Sequence, residues 1–109
     1  MSHHFKIIKG DVGYQFVMVP NNNNGQPMGY SAVFESEKKC MEAFFNFKSF
    51  VKVKMKEENK QIEVNDNKGN QYKIVDNNGV TLFSNRYVSK SNAKKSMDSV
   101  IRHIDAPLK

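Results

Sequence analysis

Cysteine is almost absent from this sequence, and other marks of secreted or membrane proteins are missing as well. The one cysteine, Cys40, has no partner for an intramolecular disulfide, whereas small secreted domains more often carry an even number of cysteines. The opening MSHHF contains no apolar run of signal-peptide length, and no segment approaches the roughly 18 apolar residues of a membrane span. We therefore expect a cytoplasmic protein that does not enter the membrane.

Arginine is also scarce, although the chain is basic. The net charge is +6, from 17 basic and 11 acidic residues, and only Arg86 and Arg102 are arginines. Lysine is a solvated point charge, whereas specific recognition of bases and phosphates relies on the planar fork of arginine. The charge therefore fits an ordinary solvated surface better than a nucleic-acid site, although contact with a polyanion stays open.

Aromatic side chains, by contrast, are plentiful even though tryptophan is missing. Eight Phe and four Tyr in 109 residues supply much of the apolar surface that a small domain must bury. A chain of this length is too short for two domains with separate cores. We expect a single folded domain over residues 1–109.

Two segments are predicted to be helices because each follows a serine suited to capping. Ser36 can accept a hydrogen bond from a free amide of the first turn, and Glu37 places a negative charge where the helix dipole favours it. This helix is predicted to end near Phe50. Ser89 caps the second helix, which should end before Pro107 because proline interrupts helical hydrogen bonding.

Short segments of alternating apolar and polar residues precede each helix and predict strands. Turn residues separate them: GDVG at 10–13, DNKGN at 66–70 and an Asn-Gly pair at 78–79. The segment NNNNGQP at 21–27 has no apolar anchor and is predicted to be a surface loop. The predicted strands cover residues 5–8, 14–19, 30–34, 51–55, 61–64, 71–75 and 80–84.

The order of these elements repeats within the chain. Aligning residues 34–40 with residues 87–93 gives a constant offset of 53, which also places Phe47 over Val100. Apolar residues therefore recur at helical spacing on the inner side of both predicted helices.

The repeat extends upstream of the helices. Tyr14 is aligned with Tyr72, and the asparagine-rich loop absorbs the difference in length. We predict an α+β fold of two tandem β-β-β-α units, with the first repeat at about residues 5–50 and the second at about residues 51–105.

The second repeat carries motifs of a known family. YVSKSNAKKSMDSV at 87–100 resembles the helix motif of the bacterial YegP-like proteins. GNQYKI at 69–74 and the Asn-Gly pair at 78–79 resemble that family's Gly-x-Tyr strand and its turn. GYQF at 13–16 is a looser version, so that the two copies together cover nearly the whole chain.

The resemblance implies one antiparallel sheet shared by the two units, with the helices packed on it and the last strands exchanged between units. Residues 51–55 would be the exchanged strand after the first helix, whereas few residues follow Ile104 to form its counterpart. The resemblance brings no established biochemical activity and no catalytic residues.

The residue types that carry most enzyme and metal chemistry are few and poorly placed. Cys40 aligns with a core position of the second helix, which predicts a buried structural thiol rather than a nucleophile. His3, His4 and His103 lack the short paired spacing of a four-ligand zinc site, and whether the first two are native residues stays open. We predict no catalytic residue, no metal and no cofactor, and expect a protein that is not an enzyme.

One difference between the repeats marks a candidate protein interface. Met41 and Phe45 lie on the outward face of the first helix, where the second helix carries Lys94 and Asp98. Exposed apolar patches of this kind often mark contacts with a partner or with a second copy of the chain. The alternative is that the asparagine-rich loop, with Met28, folds over the pair and covers it.

The second helix offers a candidate polyanion site. Its outer face carries Lys90, Lys94, Lys95 and Arg102, which is also the composition of an ordinary solvent-facing helix. Single-stranded nucleic acid would in addition need aromatic side chains exposed on the sheet. Burial under the helices is favoured for most of the aromatic residues on predicted strands, which are Tyr14, Phe16, Tyr72 and Phe83.

These observations favour a small non-enzymatic protein-interaction module of the YegP-like type, whose partner is another protein or a second copy of the chain. Contact through the first helix or along an unpaired sheet edge fits that function. The alternative function is weak binding of nucleic acid, or of another polyanion, through the lysine-rich helix face.

Overall fold

The computed structural model describes residues 3–20, 27–65, 69–76 and 79–109. Most of the predicted loop at 21–27 and of the predicted turn at 66–70 lies outside these residues, as does the first residue of the turn at 78–79. The elements in the described residues, besides a short 3-10 helix before β4, are β1 (His4–Lys9), β2 (Tyr14–Val19), β3 (Gly29–Tyr30), α1 (Glu37–Val53), β4 (Lys60–Asn65), β5 (Gly69–Asp76), β6 (Gly79–Phe83) and α2 (Lys90–Arg102).

The six strands form one antiparallel sheet in the order β1-β2-β3-β6-β5-β4. Side chains alternate between the two faces of a strand, and both helices pack on the same face. This confirms the predicted α+β architecture of one antiparallel sheet and two helices. Each large apolar side chain buried there contributes about 1.5–3 kcal/mol. The core consists of Phe5, Phe16, Met18, Cys40, Phe44, Phe47, Tyr72, Ile74, Leu82, Met97, Val100 and Ile104.

Local capping sets where both helices begin, as predicted. The Ser36 hydroxyl accepts a hydrogen bond from the backbone amide of Lys39 at 3.2 Å, and the Ser89 hydroxyl accepts one from Asn92 at 3.1 Å. Each bond satisfies an amide that has no partner inside its own helix. Within the described part of the chain, neither helix is long and apolar enough to cross a membrane.

The C-terminal end of α1 differs from the prediction. Residues 51–55 do not form a strand, because α1 continues to Val53. Phe50 and Val51 extend the helically spaced apolar stripe of Phe47 and pack against the core, which favours the helix. The lysine–valine alternation only imitates a strand, since Val53 is 75% exposed. The predicted exchange of a strand at residues 51–55 is therefore wrong.

The third strand is shorter than predicted. The sequence indicates a strand at 30–34, but β3 spans only Gly29–Tyr30. At the next position, the Ser31 hydroxyl accepts a hydrogen bond from the backbone amide of Phe16 at 3.0 Å. A side-chain oxygen thus takes the place of a backbone carbonyl, and the regular ladder ends there.

The second half of the sheet repeats this serine contact. The Ser84 hydroxyl accepts a hydrogen bond from the backbone amide of Tyr72 at 3.0 Å, as the Ser31 hydroxyl does from Phe16. Tyr72 is therefore the structural counterpart of Phe16, and its alignment with Tyr14 is wrong. That alignment matched identical residue types, whereas the hydrogen bonds define the actual position of each strand.

The two halves meet where β3 lies beside β6. Tyr30 and Phe83 are directly paired, and their rings stack at 6.0 Å on the face opposite the helices. On the helix face, the Tyr72 hydroxyl crosses the junction and donates to the Met28 carbonyl at 2.7 Å. Gly29 makes room for it, since a Cβ at that position would lie only 2.7 Å from the Tyr72 hydroxyl oxygen.

The C-terminal segment returns to the first half of the sheet. The Phe5 amide donates to the Pro107 carbonyl, and the Phe5 carbonyl accepts from the Lys109 amide, both at 2.8 Å. Leu108 thereby forms a parallel bridge with Phe5. The segment does not form a complete strand, but it extends the sheet beyond β1 and links the end of the second half to the first.

Candidate functional site

The two apolar residues predicted on the outer face of α1 lie one helical turn apart, in different surroundings. The Phe45 side chain is 54% exposed, and its ring meets the buried Phe44 ring edge-on with 5.2 Å between centroids. Met41 is half-buried. Phe45 is therefore an exposed apolar anchor held by the core, while Met41 belongs to the wall of a neighbouring groove.

That groove, which we call the tail groove, lies between α1, the β1–β2 hairpin and the C-terminal segment. Its volume is about 510 Å³, and its apolar walls come from Ile7, Tyr14, Met41 and Leu108. The Lys9 ammonium lies 5.9 Å from the centroid of the Tyr14 ring, within the range of a cation–π contact. The charged residues that line the groove are Lys9, Glu37 and Lys109.

Met28 is the residue that the alternative hypothesis placed over the Met41–Phe45 pair. It packs against the core, and its carbonyl accepts a hydrogen bond from Tyr72 in the second half of the sheet. Residues 21–26 of the same loop lie outside the described residues. Leu108, from the C-terminal segment, is among the residues that line the tail groove with Met41.

The four cations predicted on the outer face of α2 are all exposed. Lys90, Lys94, Lys95 and Arg102 span roughly 140° of the helix circumference at about 100° per residue. None of them forms an ion pair with another residue of the described ranges. Asp98 lies within the same arc, so that four positive charges and one negative charge give this face a net charge of +3.

The strand aromatics divide between the two faces of the sheet. Phe16 and Tyr72 are buried beneath the helices, as predicted, and burial raises the pKa of Tyr72 far above its ordinary value. Tyr14 lines the tail groove. Phe83 lies on the face without helices, half-buried against Tyr30. This face therefore offers one aromatic pair rather than a series of exposed rings.

Cys40 is a buried thiol, as predicted. Its burial, together with the nearby Glu37 carboxylate, raises the pKa of the thiol, and a protonated thiol is a poor nucleophile. The His3 and His103 rings stack at 3.8 Å between centroids. Among the residues that the structure describes, no group of three or more His, Cys, Asp or Glu could hold a metal ion.

A second depression, which no sequence pattern indicated, opens between α1 and residues from both halves of the sheet. Its volume is about 280 Å³. Phe16, Phe34 and Phe47 are among its apolar lining residues, and Asp76 and Thr81 are among its polar ones. We call it the Phe16 cleft. Sequence reasoning missed it because its residues come from five separate segments, and only the folded chain brings them together.

The six-stranded sheet and its two helices are similar in fold to two solved structures. The YegP protein of E. coli, a protein of unknown function, matches with a TM-score of 0.81 and 17% identity over 100% of this chain and 92% of that one. A UPF0339 protein of Shewanella oneidensis matches with a TM-score of 0.80 and 18% identity over 100% and 91% of the two chains.

These two structures confirm the resemblance at the level of the fold. At such low identity the likeness carries no information about activity, partners or site residues. No family model matches the chain, and no curated protein matches it. The function must therefore be argued from the surfaces of this chain.

Proposed function

We propose that the protein is a small non-enzymatic, cytoplasmic interaction module that binds a protein partner, or a second copy of itself, through the outer face of α1. The observation that carries the proposal is Phe45, an aromatic side chain that is 54% exposed in the middle of α1. Aromatic side chains of this kind are enriched among the residues that dominate binding energy at interfaces.

The tail groove supplies the second half of this surface. Met41 stands one turn before Phe45 and opens into the groove, where a flexible thioether adapts to partners of different shape. The groove of about 510 Å³ is large enough for one or two apolar side chains, since a cavity of about 150 Å³ already holds benzene. Lys9 and Lys109 favour acidic residues beside the apolar anchor of the partner.

We also propose that the chain consists of two copies of one β-β-β-α unit. Support comes from hydrogen bonds that occur at equivalent positions in both halves and join residues far apart in the sequence. The Gln15 amide donates to the Ser31 carbonyl at 2.7 Å, and the Gln71 amide donates to the Ser84 carbonyl at the same distance. The interaction surface belongs to the first copy only, because the second helix carries charged residues at the corresponding positions.

The test replaces the apolar residues of α1 by charged ones. Phe45→Asp and Met41→Lys should abolish self-association in light scattering after size exclusion, or remove specific partners from a pull-down out of a lysate of the source cell. Both side chains are solvent-accessible, so the variants should unfold within a few degrees of the parent protein. Nuclease treatment of the lysate separates protein partners from partners bridged by nucleic acid.

Val53→Asp is the matched control for these variants. Val53 is an exposed apolar residue of the same helix but lies at its other end, so its replacement should leave binding unchanged. The proposal fails if the parent protein is strictly monomeric and the pull-down pattern is the same for the parent and for both surface variants.

Weak polyanion binding is the second candidate, supported by the exposed cations Lys90, Lys94, Lys95 and Arg102. With three net charges in contact, the affinity for duplex DNA should fall about 40-fold between 50 and 200 mM salt. Fluorescence anisotropy with labelled single and double strands measures this directly.

The test compares Lys94→Glu with Lys95→Glu on α2 against a control pair, Lys38→Glu on α1 with Lys54→Glu directly after it. Only the first pair should lower the affinity strongly and flatten its salt dependence. Equal losses in the two pairs would show non-specific attraction to the net charge of +6, and no binding at low salt would exclude the function.

A further inference from the structure

The Phe16 cleft is lined by residues of the first half that lack the hydroxyl groups of their counterparts in the second half. At the corresponding positions, Tyr72 replaces Phe16, while the Tyr87 hydroxyl and the Ser96 hydroxyl are hydrogen-bonded to each other at 2.7 Å. In the first half, Phe34 occupies the position of Tyr87, and Ala43 occupies the position of Ser96. The first half therefore has an aromatic cleft where the second half has a hydrogen-bonded pair.

The composition of the cleft is unusual for a gap in packing. Three phenylalanines line it together with Asp76 and Thr81, which bring a carboxylate and a hydroxyl to the lining residues. The Thr81 hydroxyl donates to the Ile74 carbonyl at 2.9 Å, so its position is set by the bulge between β5 and β6. Apolar walls with a small number of placed polar groups are typical of small-molecule sites.

The size of the cleft limits what can enter. A dry cavity of about 150 Å³ holds benzene, so a cleft of about 280 Å³ holds one aromatic ring with a short chain. A carboxylate beside aromatic rings favours a cation, because both the carboxylate and the ring faces attract positive charge. Asp76 has interactions of its own within the chain, and a ligand ammonium would share this carboxylate with them.

We propose that the Phe16 cleft binds a small aromatic amine, with the ring against Phe16, Phe34 and Phe47 and the ammonium group toward Asp76. This site is separate from the tail groove and goes beyond the interaction function proposed above. The chemistry it recognises is a single apolar ring that carries a primary ammonium on a chain of one or two carbons.

The experiment is an NMR titration of the whole chain, labelled with ¹⁵N, with three probes of nearly equal shape at pH 7 and 150 mM salt. The probes are 2-phenylethylamine, the neutral 2-phenylethanol and the anionic 3-phenylpropionate. The amine should shift the amide signals of Ala43, Asp76 and Thr81 and should bind about tenfold more tightly than the alcohol, while the anion should bind least.

Two variants test the cleft itself. Ala43→Leu places a larger side chain in the cleft on a helix that accepts leucine readily and should remove amine binding. Asp76→Asn keeps the shape and should lower the amine affinity to that of the alcohol. Val88→Ala, at a side chain that is 95% exposed and lines neither the cleft nor the tail groove, is the control that should leave amine binding unchanged.

Three results would overturn the proposal. The first is an absence of shifts at the cleft amides at 10 mM amine, and the second is equal binding of the amine and the alcohol to the parent protein. The third is an Asp76→Asn variant that still prefers the amine. If Ala43→Leu does not fold, the proposal is decided by the affinities of the parent and of Asp76→Asn for the amine relative to the alcohol.

Discussion

The junction between the two halves of the sheet provides a sharp test of the packing, because Gly29 faces the Tyr72 hydroxyl there. In Gly29→Ala, the new Cβ would lie 2.7 Å from the Tyr72 oxygen and 2.8 Å from a methyl carbon of Leu82. Both neighbours are fully buried, so neither moves aside easily. Overpacking of this kind costs about 1–3 kcal/mol.

The lower chain entropy of alanine in the unfolded state offsets about 0.4–1 kcal/mol of this cost. We therefore expect Gly29→Ala to lower the free energy of unfolding by about 1–2 kcal/mol. With a urea slope of about 1.5 kcal/mol per molar, the unfolding midpoint should fall by roughly 1 M. Urea unfolding followed by circular dichroism measures both the slope and the midpoint.

The mechanism is tested by a second substitution that removes the opposing oxygen. Tyr72→Phe leaves the Met28 carbonyl without its donor and should cost about 1–2 kcal/mol alone. In the double variant the clash with the oxygen is gone, so the combined loss should be smaller than the sum by about 0.5–1 kcal/mol. Gly10→Ala is the control, since its Cβ would meet only the Gly13 carbonyl oxygen at 3.9 Å.

Additive losses, or a Gly29→Ala variant as stable as the Gly10→Ala control, would refute this explanation. The first result would mean that the alanine is accommodated without pressing on the tyrosine hydroxyl. The second would mean that β3 shifts in the sheet at little cost, so that the junction is softer than its contacts indicate.

Three further predictions concern other contacts of the fold. Ser31→Ala and Ser84→Ala should each cost about 1–3 kcal/mol in urea unfolding, because each leaves a buried backbone amide without an acceptor; clearly unequal losses would contradict their equivalence. The hydrogen bond from Lys52 lowers the pKa of Asp105. The bond therefore stabilises the folded protein fully above the pKa that Asp105 has in the unfolded chain, and this stabilisation is lost as the pH falls through its pKa in the folded protein. As the pH falls, amide exchange of the C-terminal segment should therefore become faster in the parent protein relative to an Asp105→Asn variant. If the exchange rates of the two proteins differ by the same factor at every pH, the effect is excluded. Burial raises the pKa of Cys40, so a thiol reagent should label it only in urea, and fast labelling of the native protein would contradict its burial.

Much of the fold was predictable because local chemistry decides it. Ser36 and Ser89 cap their helices with hydrogen bonds to amides three residues away, and such contacts depend only on nearby residues. The inward position of Cys40 followed from helical spacing for the same reason. The fold of the YegP-like proteins was also indicated by motifs in the second half.

The candidate sites were less predictable because side chains from distant segments form them. Met41 and Phe45 were identified by comparing the two helices, but their different exposure depends on a groove that Leu108 helps to build. The Phe16 cleft had no sequence pattern at all. The exposed cations of α2 were recognisable from helical spacing, since a solvent-facing surface requires no distant contact.

The sequence by itself determined the helix starts, most of the strands, the buried thiol and the repeated order of elements, because short-range hydrogen bonds and periodic apolar residues encode them. Only the tertiary structure decided that residues 51–53 remain helical, that β3 ends after Tyr30 and that the C-terminal segment joins β1. In each of these cases, contacts between distant residues outweighed the local pattern. Distant segments also come together to form the tail groove and the Phe16 cleft, where we propose that the protein binds a partner and a small aromatic amine, respectively.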